Sequence, residues 1–335
     1  MNTEEQIIKT ILQNFKKSDL HINQFFHSDS EIIRIGTNDY LFTMDSYSDE
    51  DHFRTDNPYI LGRNLAVCTL SDIFACGGKA LFFGNSLTKS ESWSLEYIDL
   101  LSKGISDVLS ECNVHFIGGD IGSAENWNFT GTAIGFSDKI ITRKGAYTGD
   151  KIYLTGEIGN GNFEAASLLN KINSGMDQLF AKFPVQFPIR ITESELISEF
   201  ATSCIDTSDG LLKSLRIISE INSIGFIIQN IPYSEAGLIL TSGLNLPPEI
   251  LLLGECGEYE LLFTISPENE SDLLSKAQQK EVNLIKIGTI TDSLEHKLIK
   301  NGKEYLLNDF DISARDFSDH LEYIKGLTHY LKKLI

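Results

Sequence analysis

Six aspartates stand where a strand or helix is expected to give way to a turn. They are Asp29 in HSDSE, Asp45 in FTMDS, Asp72 in LSDIFACGG, Asp120 in FIGGDIGS, and Asp206 with Asp209 in CIDTSDGLL. Hard divalent cations take oxygen ligands, commonly one or two carboxylates each, with water and phosphate oxygens completing an octahedron. Aspartates far apart in the chain can therefore hold several Mg²⁺ ions along one triphosphate, which is the chemistry of phosphoryl transfer. Any one of them taken alone is an ordinary turn or cap residue. Asp72 resists that reading because it falls inside an expected helix near its C-terminus, where the helix dipole disfavours a carboxylate. Gly118-Gly119 before Asp120 lets backbone approach a phosphate, although glycine pairs also make plain turns. Arg143, flanked by Gly145 and Gly149, offers a guanidinium clamp for phosphate or a solvated linker residue.

Other chemistries find no footing. The chain lacks GxxxxGK[ST], GxSxG and HExxH, and Gly156, Gly159 and Gly161 have the wrong spacing for GxGxxG. Asp206 to Gly210 departs from the order of an EF-hand loop, with Ile217 where the bidentate glutamate belongs. His52 is the histidine beside an acidic loop.

The elements that must position these residues alternate between strand and helix. Helices are expected over 4–16, from Pro58 to the Gly77-Gly78 stop, over 94–112, 162–171 and 193–202, from Leu211, and over 268–279. Strands are expected at 31–35, 40–44, 81–87, 115–117, 128–136, 151–155, 204–207, 226–231, 260–265 and 284–290. Asp45 and Asp120 then follow strands, where α/β proteins place ligand contacts. A length of 335 residues suits two domains. The turn-rich basic stretch Arg143 to Asp150 marks their boundary, giving residues 1–145 and 146–335. The fold class is α/β (α+β).

Composition narrows the partners. A formal net charge of −19 repels nucleic-acid backbones and anionic membranes. Five cysteines with no CxxC pair read as reduced thiols. The acidic, amphipathic N-terminus lacks a signal-peptide pattern, and no run of about eighteen apolar residues occurs. A cytoplasmic protein without a membrane span is expected.

Taken in order, six blocks resemble the superfamily of aminoimidazole ribonucleotide synthetase, selenophosphate synthetase and thiamine-monophosphate kinase. The blocks are TMDSYSDEDHF, NLAVCTLSDIFACGG, GGDIGSAENWNFTGTAIG, TRKGAYTGDKIYLTG, CIDTSDGLL and EYELLF, within residues 29–290. The nearest match is to the thiamine-monophosphate kinases. The resemblance implies a two-domain protein that dimerises through an N-terminal mixed sheet with helices, followed by a C-terminal α/β domain. ATP would lie between the domains with several Mg²⁺ ions, and thiamine monophosphate would accept its γ-phosphoryl group. Position by position, Asp29, Thr43, Asp45, Asp72, Asp120, Asp206 and Asp209 match metal ligands, Asp120 and Asp209 also serving the transfer. Ser102, Gly119, Asp120, Arg143 and Ser208 match ATP contacts. His52, Glu258 and Phe317 are the acceptor contacts that the resemblance suggests.

The departures concentrate around the acceptor. Where the kinases carry Gly-Gly-Glu-Asp before Tyr-Glu-Leu, this chain has Glu255-Cys256-Gly257-Glu258, so Gly257 replaces a glutamate for which Glu255 or Glu258 can substitute. Met44, Thr69 and Ile121-Gly122 also differ from the family pattern. The alternatives are a synthetase of the same superfamily, which phosphorylates a carbonyl or amide oxygen, and a non-catalytic nucleotide-binding relative. DNPYILGR also resembles selenophosphate synthetase, but residues 1–28 hold no cysteine, and the chain ends HYLKKLI without the terminal cysteine of the hydrogenase-maturation relatives.

Overall fold

The computed structural model describes residues 4–49, 51, 55, 57–161, 186–317 and 320–335. After helix α1 (Glu4–Leu12), strands β1 (Glu31–Ile35), β2 (Asn38–Ser48), β3 (Lys79–Ser90), β4 (His115–Ala124) and β5 (Asn128–Phe136) form the first sheet. Their order is β1-β2-β5-β3-β4, with β3 and β4 parallel and every other neighbouring pair antiparallel. Helices α2 (Pro58–Ala75) and α3 (Leu95–Glu111) cover one face of it.

Local chemistry sets α2 as its sequence suggests. Asn57 Oδ1 accepts from the amides of Tyr59 and Ile60, Pro58 takes the first helical position, and Gly77 at φ 65° ends the helix. Most of its side chains are buried all the way round, because α2 lies between the first sheet, α3 and elements of the second half. It crosses α3 at Gly62, where an added Cβ would stand 2.0 Å from the Leu101 carbonyl oxygen.

The second sheet comprises β6 (Lys151–Leu154), β7 (Ala201–Asp206), β8 (Gly225–Ile228), β9 (Leu261–Ile265), β10 (Ile285–Thr291), β11 (His296–Lys300) and β12 (Lys303–Leu306). The order is β12-β11-β8-β10-β6-β9-β7, again mixed, with β8 and β11 parallel. Helices α4 (Ile191–Phe200), α5 (Leu211–Asn222), α6 (Glu235–Gly243), α7 (Ile250–Leu253), α8 (Glu270–Gln279) and α9 (His320–Leu334) surround it. One apolar cluster joins the α2 side of the first sheet to Tyr153, Leu196, Cys204 and Phe263. A second fills the opposite side of the second sheet, around Leu212, Phe226, Leu252 and Leu327.

β2 and β4 run well past their expected ends, and this matters for the site. β2 continues to Ser48 and β4 to Ala124, so Asp45 and Gly118-Gly119-Asp120 lie within strands rather than in loops beyond them. The edge strand β4 is almost wholly exposed, so no apolar alternation advertises its second half. Gly118 at φ 112° sits where the β3–β4 register shifts, and an added Cβ at Gly119 would meet the Asn85 carbonyl oxygen at 1.7 Å. The helix expected to reach residue 202 stops at Phe200, because Ala201 already pairs with β9. The helix expected over 162–171 lies outside the described residues.

Candidate active site

Four carboxylates converge where α2 meets the ends of both sheets. Asp72 projects from the last turns of α2, and Asp206 closes β7. Asp29 precedes β1, and Asp45 shares a face of β2 with buried Thr43 and Tyr47. One ligand oxygen from each of Asp29, Asp72 and Asp206 lies within 4.8 Å of the others. Thr43 Oγ1 donates to Asp72 Oδ2 at 2.5 Å and stands 3.5 Å from Asp45 Oδ2, joining the fourth carboxylate to the group.

Gathering like charges in a buried place penalises their ionised forms. Burial, then the charge of Asp206, pushes the Asp45 carboxyl up to about 7. Burial and Asp29 raise Asp206 to about 6, against hydrogen bonds from Ser208 and Ser71. Asp72 moves well up through burial and the charges of Asp45 and Asp206.

The guanidinium bonded to this cluster belongs to Arg143. Its Nη2 donates to Asp29 Oδ1 at 2.9 Å. Burial opposes the charge of Arg143, but Asp29 outweighs it and the guanidinium stays firmly protonated. Asp29 Oδ2 is buried without a hydrogen-bond partner among the described residues. An orphaned buried carboxylate oxygen beside two others is costly in isolation. An all-oxygen donor set of this kind suits a hard divalent cation such as Mg²⁺.

The other residues singled out in the sequence fall in several places. Ser208 lies in the turn after β7 and donates through both Oγ and N to Asp206 Oδ1, at 2.7 and 3.2 Å. Asp209 is half-exposed in the same turn, its carboxylate 2.8 Å from Lys213 Nζ. Asp120 is exposed on β4, and the register carries it across Ser86 and Thr130 to Ser46, the neighbour of Asp45. Alternation along β2 therefore puts Asp120 and Asp45 on opposite faces of the first sheet. Gly119 shares the row of Asp45, three strands away, or roughly 14 Å. Ser102 lies on the exposed face of α3, and His52 falls outside the described residues.

The region expected to meet the acceptor is tightly bonded internally. Glu258 Oε1 accepts from the amides of Gly159 and Gly161, at 2.6 and 3.1 Å, and burial pushes its carboxyl up to about 8. Glu255 Oε2 accepts from Ser313 Oγ and the Ala314 amide. Both candidate substitutes for the missing glutamate thus hold backbone segments in place. Gly257 has no room for a side chain, since an added Cβ would be 1.8 Å from the Thr207 carbonyl oxygen. Phe317 packs its ring against Tyr323 and Gly326 of α9.

One participant escaped the reading of the motifs. Ser71 Oγ donates to Asp206 Oδ2 at 2.8 Å. A buried hydroxyl in a largely apolar helix was the available signal, since such a group needs a partner.

With that geometry in view, comparisons with known proteins place the chain. The family described as AIR synthase related protein, N-terminal domain, matches residues 27–137. The thiamine-monophosphate kinase of Methanocaldococcus jannaschii is 31% identical over 306 residues, covering 86% of this chain and 93% of that protein. Its counterpart in Archaeoglobus fulgidus is 27% identical, covering 82% and 90%. Among solved structures, the thiamine monophosphate kinase of Aquifex aeolicus superposes with a TM-score of 0.74 at 20% identity, covering 91% of this chain and 99% of that one. A structure described as AaThiL complexed with AMPPCP and TMP gives 0.76, also at 20% identity, covering 90% and 94%. On its sequence identity and coverage, this chain belongs to the thiamine-monophosphate kinase family.

Proposed function

We propose that the protein is a Mg²⁺-dependent ATP:thiamine-monophosphate phosphotransferase forming thiamine diphosphate by direct in-line transfer. The observation that carries the reading is the convergence of Asp29, Asp72 and Asp206, joined by Asp45 through Thr43, with Asp29 Oδ2 buried and without a hydrogen-bond partner among the described residues. Family membership supplies the substrates.

In this reading the four carboxylates, with Thr43, hold Mg²⁺; Asp209 stands in the turn beside Asp206, and Asp120, on the opposite face of the first sheet, would meet Mg²⁺-ATP outside this cluster. Mg²⁺ held by these residues would offset charge developing on the transferred group. Arg143, Ser102, Ser208 and Gly119 contact ATP, with Arg143 paired to Asp29 beside the phosphates. The bond from the γ-phosphorus to the β,γ-bridging oxygen breaks, ADP leaves, and a new P–O bond forms to the phosphate of thiamine monophosphate. His52 and Phe317 contact the acceptor, while Glu258 shapes its wall through the loop that it holds.

The two sheets serve as an N-terminal ATP, metal and dimerisation domain (1–145) and a C-terminal α/β domain (146–335). A homodimer is supported by the open face and edge of the first sheet, where Met44, Phe82, Phe116, Ile117 and Ile121 are exposed. A cytoplasmic enzyme acting on small molecules, with neither nucleic acid nor membrane as partner, agrees with the acidic composition. No described helix is long and apolar enough to cross a membrane. The test is incubation with ATP, Mg²⁺ and thiamine monophosphate, followed by chromatography. Thiamine diphosphate is expected, and ATP turnover that requires a different acceptor sinks the assignment.

A further inference from the structure

Helix α2 carries two buried hydroxyls near its acidic end, and they behave differently. Thr69 Oγ1 donates to the Leu65 carbonyl four residues back, at 2.9 Å. This is the usual way for a hydroxyl within a helix to satisfy its hydrogen. Ser71, 2% exposed, turns its single hydroxyl hydrogen away from its own helix and donates to Asp206 Oδ2 at 2.8 Å. The bond joins positions 135 residues apart. It links the helix that carries Asp72 to the strand that ends at Asp206.

Donor counting shows what the bond does. Asp206 Oδ1 already accepts from Ser208 Oγ and Ser208 N. Ser71 occupies one side of Oδ2, leaving one lone pair of that oxygen free, on a carboxylate that shares a cluster with Asp29 and Asp72. The carboxylate plane is thereby fixed from both ends. Ser71 is also the chain neighbour of Asp72, so one hydrogen bond sets the spacing of two ligands from different elements, α2 and β7, against their mutual repulsion.

We propose that Ser71 is a positioning residue: it acts through Asp206 to pre-form the divalent-cation site across the junction of α2 and β7. The proposal rests on the metal reading of the site given above. Residues that orient metal ligands typically contribute about 10–100-fold in metal affinity.

Calorimetric titration of the full-length protein with Mn²⁺, on wild type, Ser71→Ala, Asp206→Ala and the double variant, tests it. Ser71→Ala is expected to weaken Mn²⁺ binding roughly 10–100-fold, with thermal unfolding in EDTA still cooperative. In the Asp206→Ala background the same change is expected to have no further effect, because its route of action is already gone. A purely structural serine predicts the opposite pattern: lowered thermal stability with Mn²⁺ affinity within twofold of wild type, which overturns the proposal. Equal losses in both backgrounds overturn it as well. If wild type itself fails to bind Mn²⁺, the metal reading falls and takes this proposal with it, a result distinguishable by its control.

Discussion

Arg143 Nη2 sits 2.9 Å from Asp29 Oδ1, and the two side chains are 19% and 1% exposed. Arg143 follows the first sheet and Asp29 precedes it, so the pair ties together the two ends of that sheet's segment. The same guanidinium, read from sequence as a phosphate clamp, is thus already engaged with a carboxylate of the site.

Removing Arg143 leaves a buried carboxylate without its counter-charge. Arg143→Ala is expected to destabilise the metal-free protein by about 3 kcal/mol or more. Added Mg²⁺ should restore much of that loss by substituting for the missing charge. Urea unfolding in EDTA and in Mg²⁺ measures both quantities. A loss identical in the two conditions contradicts the charge-compensation account.

Asp72 and Asp120 should respond in different ways. Asp72→Asn removes a buried, like-charged neighbour, so the protein in EDTA is expected to gain about 1 kcal/mol, or roughly 2 °C in Tm. Its activity should drop roughly 10³-fold, the loss of several kcal/mol of metal-mediated charge stabilisation. Asp120→Asn, exposed on the other face of the sheet, is expected to weaken Mg²⁺-ATP binding while leaving Tm in EDTA unchanged. Nucleotide titration and calorimetry on both variants decide it.

The acidic cluster makes stability depend on pH in a stated direction. The folded carboxyls of Asp45 and Asp206 titrate near about 7 and about 6, against 3.8 for an ordinary aspartate. Between about pH 4 and 7 the folded state therefore retains protons that the unfolded chain has released, and stability must fall as pH rises through this window. Saturating Mg²⁺, which binds the ionised carboxylates, should flatten the profile. Thermal melts from pH 4.5 to 8, with EDTA and with Mg²⁺, give the comparison; a metal-free protein that gains stability across the window would falsify this electrostatic description.

Restoring the family's glutamate at position 257 should fail. An added Cβ there approaches the Thr207 and Ser208 carbonyl oxygens at 1.8 and 2.2 Å. Gly257→Glu is expected to cost roughly 1–3 kcal/mol or more through overpacking, and not to improve the KM for thiamine monophosphate. A stable variant with a lowered KM shows that the loop is built differently.

The elements expected at 31–35, 58–76, 94–112, 128–136 and 260–265 lie close to where the structure places them, because caps, glycine stops and apolar periodicity are local signals. Local signals also marked Asp72 as misplaced for an ordinary helix, a carboxylate near a C-terminus in apolar surroundings. They failed where an edge strand is solvated. The outer half of β4 carries no alternation, and Asp120 consequently looked like a residue beyond a strand's end.

Residue types and their order along the chain thus determined the chemistry to expect: oxygen donors for hard cations, in blocks matching the kinase family. Only the tertiary structure decided which donors share a site. Packing of α2 against both sheets brings Asp29, Asp72 and Asp206 together, with Asp45 joined through Thr43, and the register of the first sheet turns Asp120 to the opposite face. The bond from Ser71 to Asp206 spans 135 residues, and no local pattern encodes a contact between side chains brought together by packing alone.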